Sequence, residues 1–145
     1  MAHVIAHRGA SSAAPENSLE AFKLARDLGS DWVELDARRT ADGQMVVHHD
    51  PHLADGRVIV ESDRADLPKL VCNLAEALDA CRGMRVNIEI KNIPGEPDWD
   101  ESEWLADEVV GLLVQRGGID PVVISGFSYP TLQRVRALDP DLPTA

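Results

Sequence analysis

Short apolar runs alternate along this chain with amphipathic stretches, and several of the runs end in polar residues. The run VIA at residues 4–6 stops at His7, which predicts a buried strand with polar side chains at its carboxyl end. Apolar residues then recur at helical spacing up to Gly29, and Asn17 with Glu20 three positions later is the pattern of a helix start. The first thirty residues therefore predict a strand followed by a helix.

The same alternation continues to the end of the chain. In the strand predicted over DWVELDARR (31–39), Trp32, Glu34 and Asp36 share one face while Val33 and Leu35 share the other. Further strands are predicted over MVVHHD (45–50), RVNIEIKN (85–92) and PVVISGF (121–127), and helices over NLAEALDAC (73–81), DWDESEWLADEVVGLLVQRGG (98–118) and SYPTLQRVRALD (128–139). This order of elements predicts parallel βα units with right-handed crossovers, an α/β fold.

The polar faces of these strands separate two kinds of α/β fold. Open doubly wound sheets bury both faces, so their strands are continuous apolar runs. In two of the strands predicted here, apolar and polar residues alternate instead. The pattern favours a (βα)₈ barrel with polar residues at the strand ends. Such a barrel takes about 250 residues, so 145 residues predict a single domain over 1–145 with about the first five βα units and without the C-terminal strands.

The closure of such a short barrel has three solutions. We favour a piece of a longer gene product, because the segment DPDLPTA stops where a sixth strand should start. Pairing with a second copy, as a homo-oligomer, is less favoured because five strands plus five do not make eight. The third solution is an open sheet with impaired chemistry.

The net charge and the cysteine content exclude several classes of binding partner and structural site. With 14 Lys and Arg against 25 Asp and Glu, the net charge is −11, which disfavours nucleic acid and anionic membranes. Cys72 and Cys81 match neither a disulfide framework nor a zinc spacing and are interpreted as reduced core thiols. We find no signal peptide and no apolar run long enough for membrane insertion, and expect a cytoplasmic protein.

Polar residues lie at or near the carboxyl ends of four of the predicted strands, which a barrel would bring together at one mouth. They are His7, Arg8, Glu34, Asp36, His49, Asp50, Glu89 and Lys91. Three crowded carboxylates repel one another unless a cation neutralises them, and oxygen ligands select Mg²⁺ or Ca²⁺ rather than zinc. Taken singly, Glu34 and Asp36 could form a solvated strand face and His49 with Asp50 a turn, but their joint placement favours a site.

Four segments resemble the glycerophosphodiester phosphodiesterases, which share the barrel type of the phosphatidylinositol phosphodiesterases. They are AHRGASSAAPENSLEAF, GSDWVELDARRTADGQMVVHHDPHL, VNIEIKN and VVISGFSYPTLQRVRAL. The resemblance implies a (βα)₈ barrel, a divalent cation held by Glu34, Asp36 and Glu89, and acid/base histidines at His7 and His49. It also implies Arg8 and Lys91 as phosphate contacts and a small-molecule glycerophosphodiester as substrate.

Such an enzyme would release glycerol phosphate and an alcohol. One histidine would take a proton from the attacking hydroxyl and the other would protonate the departing alkoxide. The sequence leaves open which histidine does which, and whether the nucleophile is water or a neighbouring substrate hydroxyl. The stretch after Asp50 is shorter than in the family, so the alcohol side of the pocket is the least transferable part.

Two other functions compete with this hypothesis. One is a phospholipase D-like enzyme that acts on lysophospholipids. The other is a truncated barrel that keeps the metal site as a catalytically silent binding module.

Overall fold

The computed structural model describes residues 2–145, so the first residue of the predicted domain lies outside the described residues. The elements are β1 (Ile5–His7), α1 (Leu19–Asp27), β2 (Trp32–Arg39), β3 (Met45–Val47), α2 (Leu74–Ala80), β4 (Arg85–Ile90), α3 (Trp104–Gln115), β5 (Val122–Ser125) and α4 (Tyr129–Leu138). Two short 3₁₀ turns, Ile59–Glu61 and Arg64–Asp66, lie between β3 and α2. The order follows the predicted alternation of strands and helices.

Four of the strands form one parallel sheet in the order β1, β2, β4, β5. Ala6 pairs with Val33 between β1 and β2, and Asp36 pairs with Glu89 between β2 and β4. Because the strands are parallel, their carboxyl ends lie along one edge of the sheet, where ligand sites form in folds of this kind. The polar residues predicted near the ends of β1, β2 and β4 are thereby gathered at that edge.

The strand β3 differs from the prediction. It runs antiparallel to β2, with Ala37 opposite Val47 and Arg39 opposite Met45. The connection between them, residues 40–44 around a turn at Gly43, is far too short for a parallel crossover, which needs a dozen residues or more. The described chain therefore contains four parallel βα units and a hairpin, rather than about five βα units.

The core lies between the sheet and the helices. On β2 the odd-numbered side chains Val33, Leu35 and Ala37 are fully buried, because alternate residues of a strand point to opposite faces. They pack in one cluster with Phe22 of α1 and with residues of α2, α3 and α4. The other face of β2 carries the polar side chains and is left for the site.

Cys72 and Cys81 are buried and not joined to each other. Burial raises the pKa of each thiol to about 12, because a thiolate is poorly solvated in an apolar environment. The prediction of reduced core thiols is confirmed. Among residues 2–145, no helix is both long and apolar enough to span a membrane.

The segment after α4 returns to the sheet. The N–H of Ile124 donates to the carbonyl of Pro143, and the N–H of Ala145 donates to the carbonyl of Ile124, both at 2.9 Å. Thr144 forms a parallel bridge with Ile124. Residues 143–145 thus extend the sheet beside β5, where the sequence predicted that a sixth strand begins.

Candidate active site

Three carboxylates on β2 and β4, at the level where the neighbouring strands β1 and β4 end, form the centre of the site. Glu34 and Asp36 are two residues apart on β2 and share a face, and Glu89 is the direct neighbour of Asp36 on β4. One oxygen from each residue lies within 4.8 Å of the other two. We call Glu34, Asp36 and Glu89 the carboxylate cluster; its geometry is suited to holding a metal ion.

The environment of Glu34 explains why this cluster favours a cation. Burial, reinforced by the negative charge of Asp36, raises the pKa of Glu34 from 4.5 to about 7. Its Oε1 atom is buried without a hydrogen-bond partner, and an unpaired buried oxygen is costly. A hard divalent cation would satisfy that oxygen and offset the repulsion, so the residues present fit such an ion.

Lys91 lies against the carboxylate cluster. Its Nζ is 3.1 Å from Asp36 Oδ1 and also contacts Glu89 Oε1. The side chain is buried, and its ammonium lies 5.8 Å from the centroid of the Phe127 ring. Lys91, which is predicted as a phosphate contact, therefore has its ammonium at the carboxylate cluster, where it balances part of the negative charge.

The end of β1 brings His7 and Arg8 to the same place. His7 Nε2 lies 3.7 Å from Glu34 Oε2, and its side chain is 68% exposed. The backbone N–H of Arg8 donates to Glu34 Oε2 at 3.2 Å. The guanidinium reaches Asp36, with Nε at 3.5 Å, and donates from Nη1 to both carboxylate oxygens of Glu16.

Asn17 is a site residue that the sequence prediction assigned to a different role. It was predicted to cap α1, but Ser18 is the cap, with its Oγ accepting from the N–H of Ala21 at 3.1 Å. Asn17 has a left-handed backbone, is buried, and donates from Nδ2 to Asp36 Oδ2 at 2.8 Å. Serine is also a favourable helix cap. The adjacent Ser18 was therefore the signal that the cap could be Ser18 and that Asn17 could have another role.

The position of His49 is set by the hairpin rather than by a parallel strand. Because β3 runs back along β2, the N–H of His48 donates to the carbonyl of Asp36 at 3.0 Å. This contact brings the main chain next to His49 back to Asp36 of the carboxylate cluster. The ring of His49 is part-exposed and its Nδ1 is hydrogen-bonded to Asp50 Oδ1 at 2.7 Å, which lowers the pKa of Asp50.

A cavity of about 490 Å³ adjoins these residues. It is lined by Pro15, Glu16, Asn17, Val47, His48, His49, Leu53, Ala54, Asp55, Pro68, Leu70 and Val71. Asn17, which donates to Asp36, also lines this cavity together with His49, so the cavity begins beside the carboxylate cluster. Most of the remaining walls are apolar, and we call this space the apolar cavity.

Comparison with known proteins gives one consistent result. Residues 7–145 match the model of the glycerophosphoryl diester phosphodiesterase family. The chain is 30% identical, over 96% of its length, to the glycerophosphodiester phosphodiesterase of Caldanaerobacter subterraneus subsp. tengcongensis, of which the match covers 63%.

Solved structures agree with this match. A phosphodiesterase of Oleispira antarctica, solved with the product sn-glycerol-3-phosphate, has a TM-score of 0.88 and 32% identity, covering 99% of this chain and 65% of the other. A glycerophosphodiester phosphodiesterase of Thermotoga maritima has a TM-score of 0.79 and 27% identity, covering 99% and 61%. The likeness confirms the barrel-type fold, and the chain spans less than two thirds of the length of these relatives.

Proposed function

This chain belongs to the glycerophosphoryl diester phosphodiesterase family, and we propose that it acts in the hydrolysis of glycerophosphodiesters to glycerol phosphate and an alcohol. The observation that carries the proposal is the carboxylate cluster, in which one oxygen from each of the three residues lies within 4.8 Å of the other two. The proposal treats residues 1–145 as a single domain.

Glu34, Asp36 and Glu89 are the proposed ligands of a divalent cation, Mg²⁺ or Ca²⁺. Such an ion, when bound, would neutralise a nonbridging oxygen and stabilise the charge that builds on phosphorus. The acid-rich, oxygen-only donor set supports a hard ion.

His7 and His49 are the proposed acid/base pair. The Asp50 carboxylate can only accept, so the hydrogen bond from His49 assigns the proton to Nδ1 and leaves Nε2 of a neutral ring able to receive one. That tautomer suits His49 as the base that takes a proton from the attacking hydroxyl, and leaves His7 to protonate the departing alkoxide. The exposure of both rings supports access to substrate.

Arg8 and Lys91 are the proposed phosphate contacts. The bond of Arg8 to the exposed Glu16 is a surface ion pair of small worth, so the guanidinium can exchange that carboxylate for the nonbridging oxygens of a phosphodiester. Lys91 offsets part of the negative charge of the cluster, which would otherwise repel the substrate.

The test is release of choline from glycerophosphocholine by the purified chain. We expect activity with Mg²⁺ or Ca²⁺, none with EDTA, and a loss on the order of 100-fold or more in His7→Gln and His49→Gln. His52→Gln is the matched control, because His52 is an exposed histidine of the loop that carries His49. Activity that is indifferent to EDTA and to both substitutions would refute the proposal, and bound metal without turnover would favour the silent binding module.

The apolar cavity supports a second candidate, a phospholipase D-like activity on lysophospholipids. Its apolar walls next to His49 suit an aliphatic chain better than a polar glycerol. Release of choline from lysophosphatidylcholine, but not from glycerophosphocholine, would select this candidate.

A further inference from the structure

Arg38 is the largest side chain that the fold buries completely, and none of the roles described above uses it. It lies on β2, two residues after Asp36, and is 1% exposed. The alternation of a strand puts Glu34, Asp36 and Arg38 on the same face. A guanidinium is rarely buried unless its charge is paired and its hydrogen bonds are satisfied.

The partners of Arg38 come from two loops that flank the site. Its Nε and Nη2 donate to the backbone carbonyl of His49 at 2.8 and 2.6 Å. Its Nη1 donates to Asp98 Oδ2 at 2.6 Å and to Glu96 Oε2 at 2.9 Å. Asp98 is itself buried, so this guanidinium connects the loop after β3 with the loop after β4.

Two hydrogen bonds from one guanidinium to one carbonyl restrain the orientation of the peptide group as well as its distance. They fix the plane of the peptide that follows His49, and with it the backbone from which the imidazole extends. The planar fork of arginine can bond this carbonyl and a carboxylate at once, whereas a lysine ammonium is a point charge without that geometry. Asp98 and Glu96 in turn hold the fork in its orientation.

We propose that Arg38 is a positioning residue that sets the location of the His49 imidazole, with Asp98 and Glu96 as its supports. The inference rests on the proposed role of His49 as an acid/base group. Arg38 does not touch substrate; it acts through the main chain of His49. A displacement of about 1 Å in a catalytic group can cost on the order of 100-fold in rate, which is the effect that such a residue prevents.

The experiment compares Arg38→Lys with Arg39→Lys. Arg39 is the next residue of β2, points to the opposite face, and lies 3.9 Å from Asp100, so the control makes the same change of side chain without a contact to His49. We expect Arg38→Lys to lower kcat on the order of 10- to 100-fold with little change in KM. Arg39→Lys should keep both constants.

A second measurement is made without substrate. The ¹H–¹³C NMR signal of the His49 ring, assigned with His49→Gln, should shift or broaden in Arg38→Lys and in Asp98→Asn, and stay in place in Arg39→Lys. Asp98→Asn keeps the arginine and weakens its support, so it serves if Arg38→Lys does not fold. A folded Arg38→Lys or Asp98→Asn variant with the wild-type His49 signal would overturn the proposal.

The two readouts separate this proposal from the proposed function. If the wild-type chain hydrolyses no phosphodiester, the proposed function fails, and the ring signal alone decides whether Arg38 positions His49. If the wild type is active, wild-type kcat in a folded Arg38→Lys variant refutes the positioning role and leaves the proposed function intact.

Discussion

Gly9 shows how closely the chain packs behind the site. It has φ of +82°, and a Cβ placed there would lie 2.7 Å from the Cβ of Ala21 and 2.8 Å from its carbonyl carbon. A glycine is therefore required both by the conformation and by the approach of α1. This contact fixes the turn that carries Arg8 against Glu34.

Gly9→Ala and Gly29→Ala separate these two requirements. Gly29 has the same φ of +82° but nothing within 4 Å of the added Cβ, so its substitution measures conformational strain alone, about 1 kcal/mol. Gly9→Ala should lower the free energy of unfolding by that amount and by about 1–3 kcal/mol more for overpacking against Ala21. Urea unfolding of both variants measures the difference, and equal losses would contradict the packing argument.

The two thiols give a prediction that depends on pH. A pKa of about 12 leaves on the order of one thiolate in ten thousand at pH 8, and the fraction grows tenfold per pH unit below that pKa. Cys72 and Cys81 should therefore react with Ellman's reagent far more slowly in the native protein than in concentrated guanidinium chloride. A native thiol that reacts as fast as the unfolded one would contradict their burial.

At the scale of elements, the start of α1 depends on Ser18 rather than Asn17. Ser18→Ala removes the hydrogen bond to the N–H of Ala21 and should cost about 1 kcal/mol of unfolding free energy. Ser30→Ala, placed after the end of the helix, is the control and should be near neutral. Thermal unfolding followed by circular dichroism compares the two, and a larger loss in Ser30→Ala would contradict this assignment.

The hairpin shows which part of the topology the sequence could predict. The alternation that placed Glu34 and Asp36 on one face of β2 was read correctly, because strand periodicity is local. The prediction that β3 belongs to a parallel βα unit was wrong. Asp42 and Gly43 form a dipeptide typical of tight hairpins, which could have indicated the antiparallel pairing. The error arose because polar residues after β3 looked like those after a parallel strand.

Contacts between residues far apart in the chain could not be predicted from the sequence pattern. The alternation of β2 also extends to Arg38, which the sequence analysis did not assign to the site. Its partners Glu96 and Asp98 lie 58 and 60 residues further along the chain, and nothing in the periodicity of either segment specifies that pairing. The position of Asn17 depended similarly on which of two adjacent capping residues was used.

For the molecule as a whole, the carboxylate cluster couples ion binding to stability. A divalent ion that binds only the folded state adds about 2.7 kcal/mol at a free concentration of 100 times its Kd. Mg²⁺ or Ca²⁺ should therefore raise the unfolding temperature, and EDTA should reverse the rise. Glu34→Gln should abolish the response, while Glu101→Gln, at an exposed position outside the cluster, should retain it. An equal response in both variants would point to non-specific screening of the net charge.

The strand β2 is paired on both edges and is the most deeply buried strand of the sheet. One of its edges pairs with β1 through residues 32–34 and with β3 through residues 37–39, and the other pairs with β4 over residues 32–37. Amide hydrogens exchange with solvent only when such pairing opens. In deuterium oxide the chain should therefore lose protection from the outside inwards, with β1 and residues 143–145 exchanging first. The amides of β2 should exchange last, at the rate of global unfolding.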